Sequence, residues 1–119
     1  MSVCPDDDPV HFEETLADRQ AQIAVVAETF KLLGDPTRLK ILIACLSAPV
    51  AVGDIASKVD ASPSLVSHHL RLLRGARLVR RTRKARQMYY EAADHHIEHI
   101  VSDMIAHAGE RDVMDDPDP

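Results

Sequence analysis

Two dipeptides, Asp35-Pro36 and Ser62-Pro63, constrain the fold of this chain more than any other sequence feature. In each, a residue that caps helix N-termini well precedes a proline, which is favoured at the first helical position and disfavoured inside helices. Each dipeptide therefore predicts a helix that begins at its proline. Apolar residues at helical spacing follow both dipeptides, so the sequence favours a mainly helical fold.

Aromatic side chains are scarce, since the 119 residues include two Phe, two Tyr and no Trp. The core must therefore be aliphatic, which favours helices packed through Leu, Ile, Val and Ala. The length fits one domain. No apolar run reaches the ~18 residues of a membrane span, the acidic N-terminus has no signal-peptide pattern, and two cysteines are too few for a disulfide scaffold. We expect a cytoplasmic protein with no membrane partner.

Apolar periodicity and helix-ending residues predict five helices within a domain at 13–109, between a flexible arm at 1–12 and an acidic tail at 110–119. The first helix starts near Phe12 and ends at Gly34, the second starts at Pro36 and stops before Pro49, and the third covers Asp54–Val59. The fourth runs from Pro63 to Arg74 with Gly75 as its C′ residue, and the last runs from His95 to Ala108 between Asp94 and Gly109.

Between the fourth and last helices the pattern changes to that of β-strands. Leu78-Val79 leads into a basic strand at Arg80–Lys84, and Gln87–Tyr90 forms a second strand after a turn at Lys84–Arg86. This turn lacks Gly and Asn, so its type stays open. A β-hairpin that follows two short helices and a short turn is typical of a winged helix-turn-helix.

The charge is concentrated in the same part of the chain. Eight basic residues and no acidic residue lie between Ala61 and Tyr90, whereas the rest of the chain has six basic and nineteen acidic residues. Such a segment indicates contact with a polyanion, although a solvated basic surface is the alternative. The predicted DNA contacts are Ser64, Ser67, His68 and Arg71 on the fourth helix and Arg80, Arg81, Arg83, Lys84 and Arg86 on the hairpin. One copy would bury too little surface for tight specific binding, so we expect a homodimer on two half-sites.

Four runs resemble the ArsR/SmtB family of metal-responsive bacterial repressors. They are DPTRLKIL (Asp35–Leu42), VGDIA (Val52–Ala56), SPSLVSHHLRLLR (Ser62–Arg74) and MYYEAADHHI (Met88–Ile97). The resemblance implies a homodimeric winged helix that represses transcription and leaves its operator when an inducer binds. It also implies that the first and last helices form the dimer interface.

The last predicted helix carries metal-binding residue types on one stripe: His96, His99, Asp103, His107 and Glu110. His96 and His107 are separated by about 16.5 Å along a straight helix, whereas Zn–N bonds are about 2 Å. One ion therefore cannot bind both residues of one helix. In an antiparallel pair of these helices, two symmetric sites would each take Asp94 and His96 from one chain and His107 and Glu110 from its partner. This pattern resembles the C-terminal-helix site of the family's zinc sensors, and the alternative is a solvated polar face.

Two imidazoles and two carboxylates suit Zn(II), with Co(II) as a surrogate, whereas Ni(II) usually needs more ligands. Gly109 is a helix-ending signal that would displace Glu110, in which case His99 and Asp103 are substitutes or additional ligands. A second site could use Cys4 and His11 with Asp54, as in a Ni(II)/Co(II) sensor with N-terminal ligands. Cys45 fits a small core residue better than a ligand.

Two other functions stay open on the sequence alone. One is a winged-helix repressor whose inducer is not a metal, with the histidine stripe structural. The other is a zinc enzyme that uses His96 and His99, which the absence of a His-Glu-x-x-His pattern disfavours. We expect a regulator rather than an enzyme.

Overall fold

The computed structural model describes residues 16–114, with side chains described as far as Glu110. It divides the chain into two compact units, one that ends at Gly34 and one that begins at Asp35. The first unit contains α1 (Gln20–Leu32). The second contains α2 (Pro36–Ala44), β1 (Val50–Ala51), α3 (Val52–Val59), α4 (Pro63–Gly75), β2 (Val79–Lys84), β3 (Gln87–Ala92) and α5 (His95–Met114). Three helices followed by a hairpin confirm the predicted winged helix-turn-helix. Within the described residues, no helix combines the length and apolar character needed to cross a membrane.

Helix α1 ends where the sequence predicted, with Leu33 as its cap and Gly34 next along the chain. Its predicted start near Phe12 lies outside the described residues, as does the whole predicted arm. No residue of α1 is buried within this chain. Several of its apolar side chains are exposed, among them Ile23, Val26 and Phe30.

The two cap-and-proline dipeptides begin α2 and α4 as predicted. The Asp35 carboxylate accepts a hydrogen bond from the backbone N–H of Arg38 over 3.1 Å. The Ser62 hydroxyl accepts one from the backbone N–H of Leu65, also over 3.1 Å. In both cases a side-chain oxygen satisfies an N–H that the first turn of a helix leaves without a helical partner.

A short strand, β1, precedes α3 and was not predicted from the sequence. Val50 pairs with Tyr90 and Ala51 pairs with Tyr89, which makes a three-stranded antiparallel sheet in the order β1-β3-β2. Helix α3 begins at Val52, two residues before the predicted start. Two residues are too few to show a period of two, so only the partner strand defines β1.

The end of α4 differs from the prediction, because Gly75 is the last helical residue and not the left-handed residue after it. Arg77 takes the left-handed conformation instead, with φ 64°. The N–H of Leu78 donates to the carbonyl of Leu73 over 2.9 Å, and the N–H of Arg77 donates to that of Arg74 over 3.0 Å. This is a Schellman motif, and its apolar contact pair, Leu73 and Leu78, is buried. Burial of Leu78 therefore places the end of the helix.

The hairpin has the predicted basic strand, and β3 continues to Ala92, beyond the predicted end. Lys84 pairs with Gln87, so the loop contains only Ala85 and Arg86. Ala85 supplies the left-handed conformation, with φ 55°, that Gly or Asn usually provides. The two-residue turn therefore forms without Gly or Asn.

Aliphatic side chains of α2, α3 and α4 form the core of the second unit, as the composition predicted. The fully buried side chains are Ile41, Leu42, Cys45, Ile55, Val66, Leu70 and Leu73. Burial raises the pKa of the Cys45 thiol to about 12, so it stays protonated and behaves as a small apolar side chain. The prediction for Cys45 is confirmed.

Helix α5 is longer than predicted, because it continues through Gly109 to Met114. The prediction that Gly109 ends the helix is wrong. A Cβ added at Gly109 would meet no described atom within 4 Å, so this glycine marks neither a tight turn nor a close contact. Glu110 consequently stays in helical register with His107. Only Val101 of this helix is buried, among residues whose side chains are described, while Ile100, Met104 and Ile105 are exposed.

Candidate nucleic-acid interface and metal half-sites

Helix α4 has one buried face and one exposed polar face, as predicted. Val66, Leu70 and Leu73 are fully buried. The opposite face presents the predicted DNA contacts of this helix, all of them exposed: Ser64, Ser67, His68 and Arg71. Hydroxyl, imidazole and guanidinium groups can all donate hydrogen bonds to base edges or phosphates. The capped N-terminus of α4 fixes where this face begins.

The hairpin presents the other predicted contacts, and all five are exposed: Arg80, Arg81, Arg83, Lys84 and Arg86. Arg80 differs from the rest, because its Nε atom lies 3.1 Å from Oε2 of Glu91 on the paired strand. This carboxylate partly compensates the positive charge of Arg80. The remaining basic side chains of the hairpin are therefore better suited to neutralising phosphates.

His69 is a functional candidate that the sequence analysis missed. Its side chain is the one buried polar side chain of the described core, with 6% exposure. The Nε–H of Arg38 donates to Nδ1 of His69 over 3.2 Å. The sequence spacing does indicate that His69 is buried, because His69 lies three residues after Val66 and four before Leu73, on the same helix face.

Asp94 and His96 form the first predicted metal half-site, at the start of α5. Oδ1 of Asp94 accepts a hydrogen bond from the backbone N–H of Ile97 over 3.1 Å, which confirms Asp94 as the helix cap. Mainly because of this bond, the pKa of Asp94 lies below its ordinary value, so the carboxylate is ionised at neutral pH. Nδ1 of His96 lies 3.6 Å from the same oxygen. Both side chains are exposed and available to an ion.

His107 and Glu110 form the second predicted half-site, three residues apart on the exposed part of α5. Residues at this spacing lie on one helix face. His99 and Asp103, the predicted substitutes, are exposed between the two half-sites. Among the residues that the structure describes, no three His, Cys, Asp or Glu side chains of this single chain come close enough to hold a metal ion. The structure thus places both half-sites on one helix without bringing them together.

The predicted second site falls largely outside the described residues, since Cys4 and His11 both precede residue 16. Its third member, Asp54, is exposed in the first turn of α3.

Residues 35–81 match the model of the family described as bacterial regulatory protein, arsR family. Over 120 aligned residues the chain is 37% identical to a transcriptional repressor SmtB homolog from Synechocystis, covering 94% of this chain and 88% of the relative. It is 34% identical to a cadmium resistance transcriptional regulatory protein CadC homolog from Staphylococcus aureus, covering 71% of each chain.

A solved structure from Mycobacterium bovis has the same fold. It is the homodimeric winged helix-turn-helix DNA-binding domain of a possible ArsR-family transcriptional regulator, with a TM-score of 0.73 and 27% identity. The superposition covers 79% of this chain and 88% of the other. These relatives are transcriptional regulators and not enzymes, so the zinc-enzyme interpretation of His96 and His99 is set aside. The family match, the identity to these relatives and the shared fold together show that this chain belongs to the ArsR family of bacterial regulatory proteins.

Proposed function

We propose that this protein is a metal-responsive transcriptional repressor. In this proposal it binds operator DNA as a metal-free homodimer and loses affinity for DNA when Zn(II), or Co(II), binds between two copies of α5. The observation that carries the proposal is the placement of exposed Asp94 and His96 at one end of α5 and of exposed His107 and Glu110 toward the other.

DNA binding is supported by the exposed polar face of α4 and the exposed basic hairpin, which follow one another in the chain. The relatives from Synechocystis and Staphylococcus aureus are named as a repressor and a resistance regulator, which favours repression. Each phosphate that a basic side chain neutralises releases counterions, so binding should weaken strongly with added salt.

A homodimer is supported by apolar side chains that one chain leaves exposed. On α5 these are Ile100, Met104 and Ile105, and on α1 they include Ile23 and Phe30. Large exposed apolar surfaces on a small protein mark association sites. The homodimeric structure of the Mycobacterium bovis relative points the same way.

The residues present fit a divalent ion. Together the two half-sites offer two imidazoles and two carboxylates, a set that suits tetrahedral Zn(II). Continuation of α5 through Gly109 supports Glu110 as the fourth ligand, because it keeps Glu110 in register with His107. When bound, the ion would link the two chains and thereby favour one arrangement of the dimer.

Coupling between the metal and DNA must be reciprocal. A typical coupling free energy of about 1–3 kcal/mol corresponds to an effect of about 5- to 150-fold, and operator DNA must weaken metal binding by the same factor. Equal zinc affinity with and without DNA would contradict the proposal.

The decisive experiment mixes two variants, His96→Ala and His107→Ala. Every site in either homodimer lacks one ligand, whereas a mixed dimer regains one complete site if the ligands come from opposite chains. We expect metal-dependent DNA release and the visible absorption of tetrahedral Co(II) to be lost in each variant and partly restored on mixing. His95→Ala, on the same helix but outside the ligand set, is the control and should respond like the wild type.

Two results would contradict this site. A normal metal response in both separate variants would place the metal site elsewhere, as N-terminal ligands require. No recovery on mixing would show that the ligands do not come from opposite chains.

A further inference from the structure

Leu65 is an apolar side chain of α4 at the border between its buried face and its exposed polar face, since helical spacing puts it about 60° from His68 and about 100° from Val66. It is 42% exposed, whereas Val66, Leu70 and Leu73 of the same helix are fully buried. No other large apolar side chain of α4 is exposed to this degree. Leu65 is therefore not part of the buried core to which α4 contributes.

The position of Leu65 in the helix is closely defined. It is the third residue of α4, and its backbone N–H donates to the Ser62 hydroxyl over 3.1 Å. Exposed Ser64 precedes it, and exposed His68 lies one helical turn further on. In helix-turn-helix proteins, the residues at the N-terminal end of the second helix contact the base edges. Leu65 thus lies beside the polar residues already assigned to the DNA interface.

A leucine side chain can neither donate nor accept a hydrogen bond, so only an apolar group in the groove suits it. The major groove presents hydrogen-bonding atoms on every base pair, and its apolar group is the C5-methyl of thymine. We infer that Leu65 contacts the C5-methyl group of a thymine and selects a T·A pair at one position of each operator half-site. This inference rests on the proposed function and adds a residue that determines sequence specificity.

The test replaces thymine by deoxyuridine, which removes the methyl group and leaves every base-pairing atom in place. A duplex selected by the wild-type protein from a randomised pool serves as the probe, and its thymines are replaced one at a time. We expect one sensitive thymine per half-site, with a loss of about fourfold in affinity, the factor for burying one methyl-sized group. The other thymines of the same duplex are the internal control.

Two variants connect this effect to Leu65. Leu65→Ala should bind the thymine and deoxyuridine probes equally, because the partner of the methyl group is gone. Leu65→Met keeps an apolar side chain of similar volume and should retain the sensitivity. The salt dependence of binding should be unchanged in both, since Leu65 contacts no phosphate. Substitution at this exposed helical position by Ala should leave the fold intact.

The outcomes separate this inference from the proposed function. If the wild-type protein selects DNA but shows no methyl-sensitive thymine, the assignment of Leu65 is wrong and the repressor proposal stands. Equal sensitivity in the wild type and Leu65→Ala would also overturn it. If the wild type binds no duplex better than random DNA, both proposals fail.

Discussion

The Nε–H of Arg38 donates a hydrogen bond to Nδ1 of His69 over 3.2 Å, and this bond connects α2 to the candidate DNA-reading helix α4. An imidazole nitrogen that accepts a hydrogen bond carries no proton, so His69 is neutral with its proton on Nε2. Asp35 extends the same arrangement, because its carboxylate caps α2 at the N–H of Arg38. The orientation of α4 therefore depends on a buried polar contact as well as on apolar packing.

Acidification should destabilise the protein through His69. Burial in the first place, and the charge of Arg38 in the second, lower the pKa of His69 below its ordinary value of 6.5. Below pH 6.5 the unfolded chain binds a proton at His69 that the folded chain excludes, which favours unfolding. The contribution of His69 to the free energy of unfolding is therefore complete above pH 6.5 and is lost as the pH falls through the lower pKa of the folded chain. Urea denaturation across a pH series on both sides of 6.5 measures the effect.

The variant His69→Gln isolates this contribution. Above pH 6.5, we expect this substitution to lower the free energy of unfolding by about 1–3 kcal/mol, because it disturbs the hydrogen bond from the half-buried guanidinium of Arg38. Its stability should then fall less on acidification than that of the wild type. His68→Gln, at the exposed neighbouring position, is the control. Parallel pH profiles for the wild type and His69→Gln would contradict the assignment.

At the end of α4, removing one glycine and introducing another should both increase the free energy of unfolding. Gly75 is helical and a Cβ there meets no described atom within 4 Å, so Gly75→Ala should add about 0.5–1 kcal/mol. Arg77 holds φ 64°, so Arg77→Gly should relieve about 1–2 kcal/mol of backbone strain. Thermal unfolding measures both. Destabilisation by Gly75→Ala would instead support Gly75 as the left-handed residue.

Helix α5 gives a comparable prediction at Gly109. Because this glycine is helical and open space surrounds its Cα, Gly109→Ala should increase the stability of α5 by up to about 1 kcal/mol. Circular dichroism should show equal or higher helix content. Gly109→Pro is the opposing control, since proline interrupts a helix at this position. A loss of helix content in Gly109→Ala would show that α5 ends before Glu110.

Basic residues of the hairpin should contribute unequally to DNA binding. Arg83→Gln should reduce the slope of log affinity against log salt concentration by about 0.9, the value for one phosphate contact. Arg80→Gln should have a smaller effect, because Glu91 already pairs with Arg80 over 3.1 Å. Glu91→Gln should raise affinity by releasing Arg80. Anisotropy titrations of a labelled duplex at several salt concentrations measure all three, and equal slopes for the two arginine variants would contradict the distinction.

Local chemistry made much of this fold predictable. A capping oxygen followed by proline acts within one turn, so Asp35 and Ser62 determine where α2 and α4 begin, whatever surrounds them. The buried stripe of α4 and the alignment of candidate ligands along α5 follow from helical periodicity alone. For the same reason the sequence predicted which side of α4 is exposed, the side that carries the candidate DNA contacts.

Contacts between distant residues determine the features that the sequence did not predict or predicted wrongly. Two-residue β1 exists because β3 pairs with it. Gly75 is the last helical residue of α4 and not its left-handed cap, and the apolar pair of the terminating motif, Leu73 and Leu78, is buried. His69 lies on the buried face of α4, and its hydrogen-bond donor Arg38 is thirty-one residues earlier in the chain, where local spacing gives no sign of it. Sequence by itself determined where elements start and which faces they present, since those depend on neighbours within one turn. Tertiary structure decided strand pairing, helix ends and buried polar partners, because their free energy comes from groups that only folding brings together.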